Sequence, residues 1–180
     1  MSAAAPRPAA VARLLEERSA LDRAYSAGHH GRWSAARRAE LMDACLREML
    51  AGSGSPAGVA LVALGGYGRG ELAPRSDVDL LLLHEGSRPE QVAALAERML
   101  YPLWDAGLTV GHGVRTPAEC SALAIERLDA ATAMLDGRWL GGDDGLWAET
   151  HGALLAQVRD EPHAFAERLG EDAERRAERF

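Results

Sequence analysis

The sequence predicts an α+β fold: a small mixed sheet flanked by helices, preceded by a helical segment. Three observations carry this. Two apolar runs, residues 59–64 and 80–83, have the length of buried strands. The connection between them is too short for a full helical crossover, so they pair antiparallel. On both sides of this pair, apolar residues recur at helical spacing instead.

The elements follow in order. Residues 1–8 are rich in alanine and proline and read as a disordered tail. Residues 9–27 read as a helix, with Val11, Leu14, Leu15, Leu21 and Tyr25 near helical spacing. Gly28-His29-His30-Gly31 breaks it; no third ligand is near the histidine pair, which reads as a solvated loop. Ser34 is the expected cap of a second helix over residues 35–50, carrying Leu41, Cys45, Leu46, Met49 and Leu50 on one side. Gly52-Ser53-Gly54-Ser55-Pro56 then leads into the first strand. After the second strand, Ser87-Arg88-Pro89-Glu90 predicts a capping box opening a helix over 89–104, which buries Val92, Leu95, Ala96, Met99 and Leu100, with Pro102 kinking its end. A third strand is expected at 107–115, and Thr116-Pro117-Ala118-Glu119 is a second capping box. Small and apolar residues fill 128–138, Gly141-Gly142 interrupts, and a helix follows over 144–158. The resulting organisation is a tail (1–8), a helical segment (9–52), a core domain (57–160) and a charged, solvated C-terminal helix (161–180).

Composition narrows the function. Hydrophobic residues make up 47% of 180 positions, enough for a proper core. A formal charge of −7 argues against a nucleic-acid partner, which normally meets a basic face. The chain has no lysine, which removes Schiff-base chemistry and a lysine general base. Cys45 and Cys120 form no metal or disulfide spacing and read as buried thiols. No apolar run reaches the ~20 residues of a membrane span, and no signal-peptide core is present. The expectation is a cytoplasmic protein without membrane contact.

The chemistry concentrates between residues 59 and 83. Asp77 and Asp79 head a strand that otherwise reads as core, and ionised carboxylates rarely sit there without a cation. Residues i and i+2 of a strand share a face, which puts the two Cα atoms roughly 6–7 Å apart. Two such charges repel unless a cation lies between them, and Mg²⁺ takes one or two carboxylates together with substrate phosphates. Gly65 and Gly66 follow the first strand, where bare backbone lets a phosphate approach N–H groups. A short helix over 67–72 is expected to add partial positive charge at the same place. Arg69 reads equally as a surface charge or a phosphate contact, Ser76 equally as a phosphate contact or a turn cap, and Glu71 as the partner of an arginine. The spacing G-G-Y-G-R-G fits neither the dinucleotide fingerprint nor a Walker A loop.

A strand, a Gly-Gly turn and Asp-x-Asp heading the next strand resemble the signature of the nucleotidyltransferase superfamily, with its DNA polymerase β-like fold. The longer string G-G-Y-G-R-G-E-L-x-P-x-S-D-x-D-L-L-L is similar to the N-terminal catalytic domain of the bacterial PII uridylyltransferase/uridylyl-removing enzymes. Leu103-Trp104-Asp105 and Val110-Gly111-His112-Gly113-Val114-Arg115-Thr116 extend the resemblance, although that family usually has serine where Gly113 stands. The match covers roughly residues 57–145. The resemblance implies a Mg²⁺-dependent transfer of UMP from UTP to a tyrosine of the PII signal-transduction protein, with release of pyrophosphate; some relatives use ATP. It implies Asp77 and Asp79 as catalytic metal ligands, Gly65 and Gly66 at the phosphates, and His112 and Arg115 as nucleotide contacts. Many superfamily members place a third carboxylate on the next core strand. Here Gly107-Leu108-Thr109-Val110-Gly111-His112 offers threonine or a neighbour, with Asp105 just before it. The family's uridylyl-removing and glutamine-sensing domains are expected to be absent, since the sequence has no His-Asp dipeptide and ends at Phe180. The rival readings are a relative acting on glutamine synthetase or a small molecule, and a non-catalytic nucleotide-binding regulatory module.

Overall fold

The computed structural model describes residues 8–26, 31–54 and 57–178. The tail before Pro8, the His29-His30 pair and Phe180 lie outside them. The elements run α1 (Ala9–Ser26), α2 (Arg32–Gly52), β1 (Val59–Ala63), α3 (Gly65–Gly68), β2 (Val78–His84), α4 (Pro89–Asp105), β3 (Val110–Arg115), α5 (Pro117–Glu126), α6 (Leu128–Leu135), β4 (Arg138–Gly142), α7 (Asp144–Asp160) and α8 (Pro162–Ala177). The sheet is mixed, in the order β3-β2-β1-β4. The β1–β2 pair is antiparallel, as expected, with Ala63 opposite Leu80. The α4 crossover brings β3 parallel to β2, with Asp79 opposite Gly111 and Leu80 opposite His112.

Both faces of the sheet are covered, which explains why β1 and β2 read as unbroken apolar runs. Leu61, Ala63, Leu80 and Leu82 pack on one side with Val11, Leu14 and Leu21 of α1, Leu46 and Leu50 of α2, and Leu95 and Met99 of α4. Ala60, Val62, Leu81 and Leu83 pack on the other with Cys120 of α5, Met134 of α6 and Trp147 of α7. The N-terminal helices share one core with the sheet. Both cysteines are buried, and burial raises each thiol to about 11. No helix among the described residues is long and apolar enough to cross a membrane.

Several local expectations are corrected. Strand β4 was hidden from pattern reading: five residues, two of them glycine, leave only Leu140 buried. Ser34 lies inside α2, buried, and the N-cap is Gly31. The box at Ser87–Glu90 does not form; Arg88 is the N-cap of α4, and Ser87 Oγ donates to Glu85 instead. The box at Thr116–Glu119 forms with both arms. Pro102 sits inside α4, which continues to Asp105. α8 follows the expected pattern of a solvated helix, with Phe165 packed against the core and Leu169 exposed.

Candidate active site

The turn after β1 begins one residue beyond the strand. Leu64 is extended, and its N–H donates to Asp79 O at 2.9 Å, the last rung between the two strands. Gly65 then takes φ +55°, a left-handed conformation that a side chain would oppose, and α3 starts on the glycines themselves. The helix expected over 67–72 is thus shifted to Gly65–Gly68. The first-turn N–H groups of Gly65 and Gly66 have no helical acceptor, because none precedes them. A Cβ at Gly65 would stand 3.8 Å from Asp79 Oδ2, so bare backbone and carboxylate border the same space.

The carboxylates behave as the strand period dictates. Asp77 and Asp79 are exposed, while Val78 and Leu80 between and after them are buried. Asp79 projects from the face carrying Leu81 and Leu83, toward the α5–α6–α7 layer. Neither carboxylate accepts a hydrogen bond or forms an ion pair among the described residues. Partial burial, and next the charge of Asp77, hold the Asp79 carboxyl above its usual range. Gly111, the cross-strand neighbour, makes room for it: a Cβ there would lie 2.4 Å from Asp79 Oδ1.

The turn is held from the other side of the sheet by a buried network that the sequence reading did not single out. Tyr67 OH donates to Asp43 Oδ1 at 2.7 Å. Arg138 donates to both Asp43 oxygens, at 2.6 and 3.1 Å, and also to the carbonyls of Gly68 and Tyr67. Arg47 adds a 3.3 Å contact to Asp43 and reaches Leu140 O. Burial, and next the charge of Asp43, push the Tyr67 hydroxyl far above its ordinary value, which keeps it a donor. Gly68 is pressed against the end of α6: a Cβ there would meet Asp136 O at 2.3 Å. One signal for Asp43 was readable. It lies three residues before Leu46 and four after Ala39, so it is an acid on the apolar stripe of α2. Arg138 carries no comparable signal.

The other predicted residues divide. Arg69 lies beside Gly66 and pairs with Glu71 at 3.2 Å and Asp136 at 2.5 Å, so Glu71 does pair with an arginine. Arg115 is on the Asp79 face, and its guanidinium folds back along the strand over Gly113, whose missing side chain leaves the space. His112 is not brought to the site. It pairs with Leu80 on the opposite face, where its ring meets Trp104 of α4 edge-on at 5.4 Å. Ser76 follows a tight turn in which its N–H donates to Ala73 O, and it lines a separate cleft. Thr109 precedes β3, its carbonyl takes the N–H of Val78, and it borders the same cleft as Ser76. Asp105 ends α4, which packs on the opposite face. No group of three His, Cys, Asp or Glu placed to hold a metal exists among the described residues. Two hard-oxygen ligands, coupled and uncompensated, fit a divalent cation that takes its remaining ligands from substrate and water.

Residues 46–133 match the profile of the nucleotidyltransferase domain family. The chain is 46% identical over 142 residues to a bifunctional uridylyltransferase/uridylyl-removing enzyme of Streptomyces coelicolor, covering 78% of this chain and 17% of the relative. Similar enzymes of Pseudomonas putida and Bordetella avium are 43% and 42% identical, over 70% and 66% of this chain. The chain spans 14% of the length of each of those two. Two toxin–antitoxin crystal structures, one with AMP-PNP and one a MntA-HpeT mutant, share 16% and 13% identity. They cover 71% and 73% of this chain, and 92% and 96% of theirs, at TM-scores of 0.40 and 0.43, a likeness too loose to carry an argument. Residues 46–133, just under half of the chain, thus resemble the nucleotidyltransferase domain family, with the Gly65-Gly66 turn and both carboxylates inside the matched stretch.

Proposed function

We propose that this chain transfers UMP from UTP to a tyrosine hydroxyl of the PII signal-transduction protein, releasing pyrophosphate, with ATP as the open alternative donor. The observation that carries the reading is the juxtaposition of Asp79 with the bare backbone of Gly65. The names of the sequence relatives support the uridylyl group. Asp77 and Asp79 would hold the divalent metal, Mg²⁺ by its preference for hard oxygens. When bound, such an ion offsets phosphate charge and acidifies the attacking hydroxyl. The N–H groups of Gly65 and Gly66 donate to oxygens of the leaving phosphates, and Arg115 supplies positive charge on the same face. The acceptor hydroxyl attacks the α-phosphorus, the bond from that phosphorus to the bridging oxygen breaks, and pyrophosphate departs. The Asp43–Arg138–Tyr67 network holds the turn in place without touching substrate.

One observation favours a second reading, a nucleotide-binding regulatory module without catalysis. Residues 107–112, where the resemblance implies a third acid, hold threonine or a neighbour at that position and no carboxylate. Labelling PII with radioactive UTP or ATP in the presence of Mg²⁺ separates the two readings. Transfer by the wild type and its loss in Asp79→Asn support the enzyme. Nucleotide binding without label transfer or pyrophosphate release supports the module.

A further inference from the structure

A cleft of about 490 Å³ opens beside the start of β2, within the range of small-molecule sites. Arg18 and Asp22 of α1, Arg38 of α2, the segment Pro74-Arg75-Ser76, Val78 and Thr109 line it. Val78 packs with the α1–α2–α4 layer, so the cleft lies away from the Asp77–Asp79 face. Three guanidinium groups face one carboxylate. Arg38 is 1% exposed. Its Nη2 lies 2.6 Å from Asp22 Oδ1, an ion pair rather than an aligned hydrogen bond, and its Nε has no partner. A buried guanidinium donor without an acceptor is costly, and a bound anion is one way to satisfy it. Arg18 is pushed below its ordinary value by burial and next by the charge of Arg38, with Asp22 offsetting only part. Arg75 holds φ +67° after Pro74, a turn position that favours glycine, yet an arginine occupies it and borders the cleft. Among the described residues neither Arg18 nor Arg75 forms an ion pair within contact distance.

We propose that this cleft binds the phosphate group of a small anionic ligand through Arg18, Arg38 and Arg75, with the hydroxyls of Ser76 and Thr109 beside it. The phosphate has two sources: the nucleotide itself, or a separate phosphorylated ligand. The site stands independently of nucleotidyl transfer, so it is tested in EDTA with inorganic pyrophosphate titrated into the full chain. Calorimetry gives the affinity, and the arginine Nε–Hε NMR signals report the contact. Saturable binding that moves the Arg38 Nε signal is expected, weakened at least tenfold in Arg18→Gln and in Arg75→Gln, and unchanged in Asp79→Asn. Reading Arg38 by its own resonance avoids a buried substitution that would unfold the chain. Absence of saturation at millimolar pyrophosphate, an unmoved Arg38 signal, or wild-type affinity in both arginine variants overturns the proposal. Repeating the titration with a non-hydrolysable nucleoside triphosphate identifies the source. Displacement of pyrophosphate, sensitive to the same variants, assigns the phosphate to the nucleotide; simultaneous binding assigns it to a separate ligand.

Discussion

Asp43 and Asp79 approach the Gly65–Gly68 turn from opposite faces of the sheet. Asp43 takes hydrogen bonds from Tyr67, Arg138 and Arg47, and each of its oxygens is occupied. Asp79 takes none, and the charge that acts on it is that of another acid, Asp77. A carboxylate neutralised by its own fold contributes to holding the fold. A carboxylate left beside a like charge raises the energy of the folded chain, and that arrangement persists where a cation is to be bound. The same residue type therefore holds the turn from behind and, in the proposed reaction, would face substrate from in front.

Three substitutions, one of them read twice, sharpen or break this contrast. The largest effect is expected on catalysis from Asp79→Asn. Because outer-shell changes alone cost roughly 10–100-fold, loss of a direct ligand should lower kcat by at least about a hundredfold. Circular dichroism should show an intact fold, and a wild-type rate would end the catalytic role of the pair. Next comes Asp43→Ala, which strands Tyr67 and Arg138. Breaking a buried pair costs about 3–5 kcal/mol; Arg138 keeps partial solvent contact, so about 2–3 kcal/mol is expected in urea unfolding. An unchanged midpoint would mean that the turn does not depend on this network. Gly111→Ala acts on the front alone. Its methyl group displaces the Asp79 carboxylate, and a shift on the order of 1 Å should cost roughly ten- to a hundredfold in kcat/KM. Stability should move by less than about 1 kcal/mol, the scale of a partly solvated charge. A comparable loss in both readouts would show that Gly111 supports the sheet rather than the carboxylate.

The smallest effect is the most diagnostic. The folded-state value of Asp79 is raised, so the folded chain binds that proton more tightly than the unfolded chain. Stability from this group therefore increases as pH falls from the raised value toward the unfolded value near ~3.9. At neutral pH, Asp79→Asn should be more stable than wild type by less than about 1 kcal/mol, given its solvent exposure. The difference should close below about pH 4 and shrink when a divalent cation is added. A destabilised variant at pH 7 would place Asp79 with Asp43, as a structural acid.

Much of this was legible because the signals are local. Two glycines after an apolar run and two acids two residues apart mark the turn and the carboxylate pair with no partner strand in view. The same period places Val78 in the core. Other features depend on what lies across a gap. Strand β4 has too few apolar residues to declare itself, and it forms because β1 offers an open edge. Ser34 has the chemistry of a cap but packs inside α2. Arg38 looks like a surface charge until α1 and the Pro74–Arg75 turn enclose it.

Within one strand, sequence spacing alone determined that Asp77 and Asp79 share a face, because successive side chains alternate. Between strands it determined nothing. His112 and Gly111 are adjacent in the chain, and only the parallel register of β2 with β3 sets Gly111 beside Asp79 and sends His112 to α4. A slip of one residue would exchange them, since a strand has a period of two and its pairing is fixed by contacts distant in sequence.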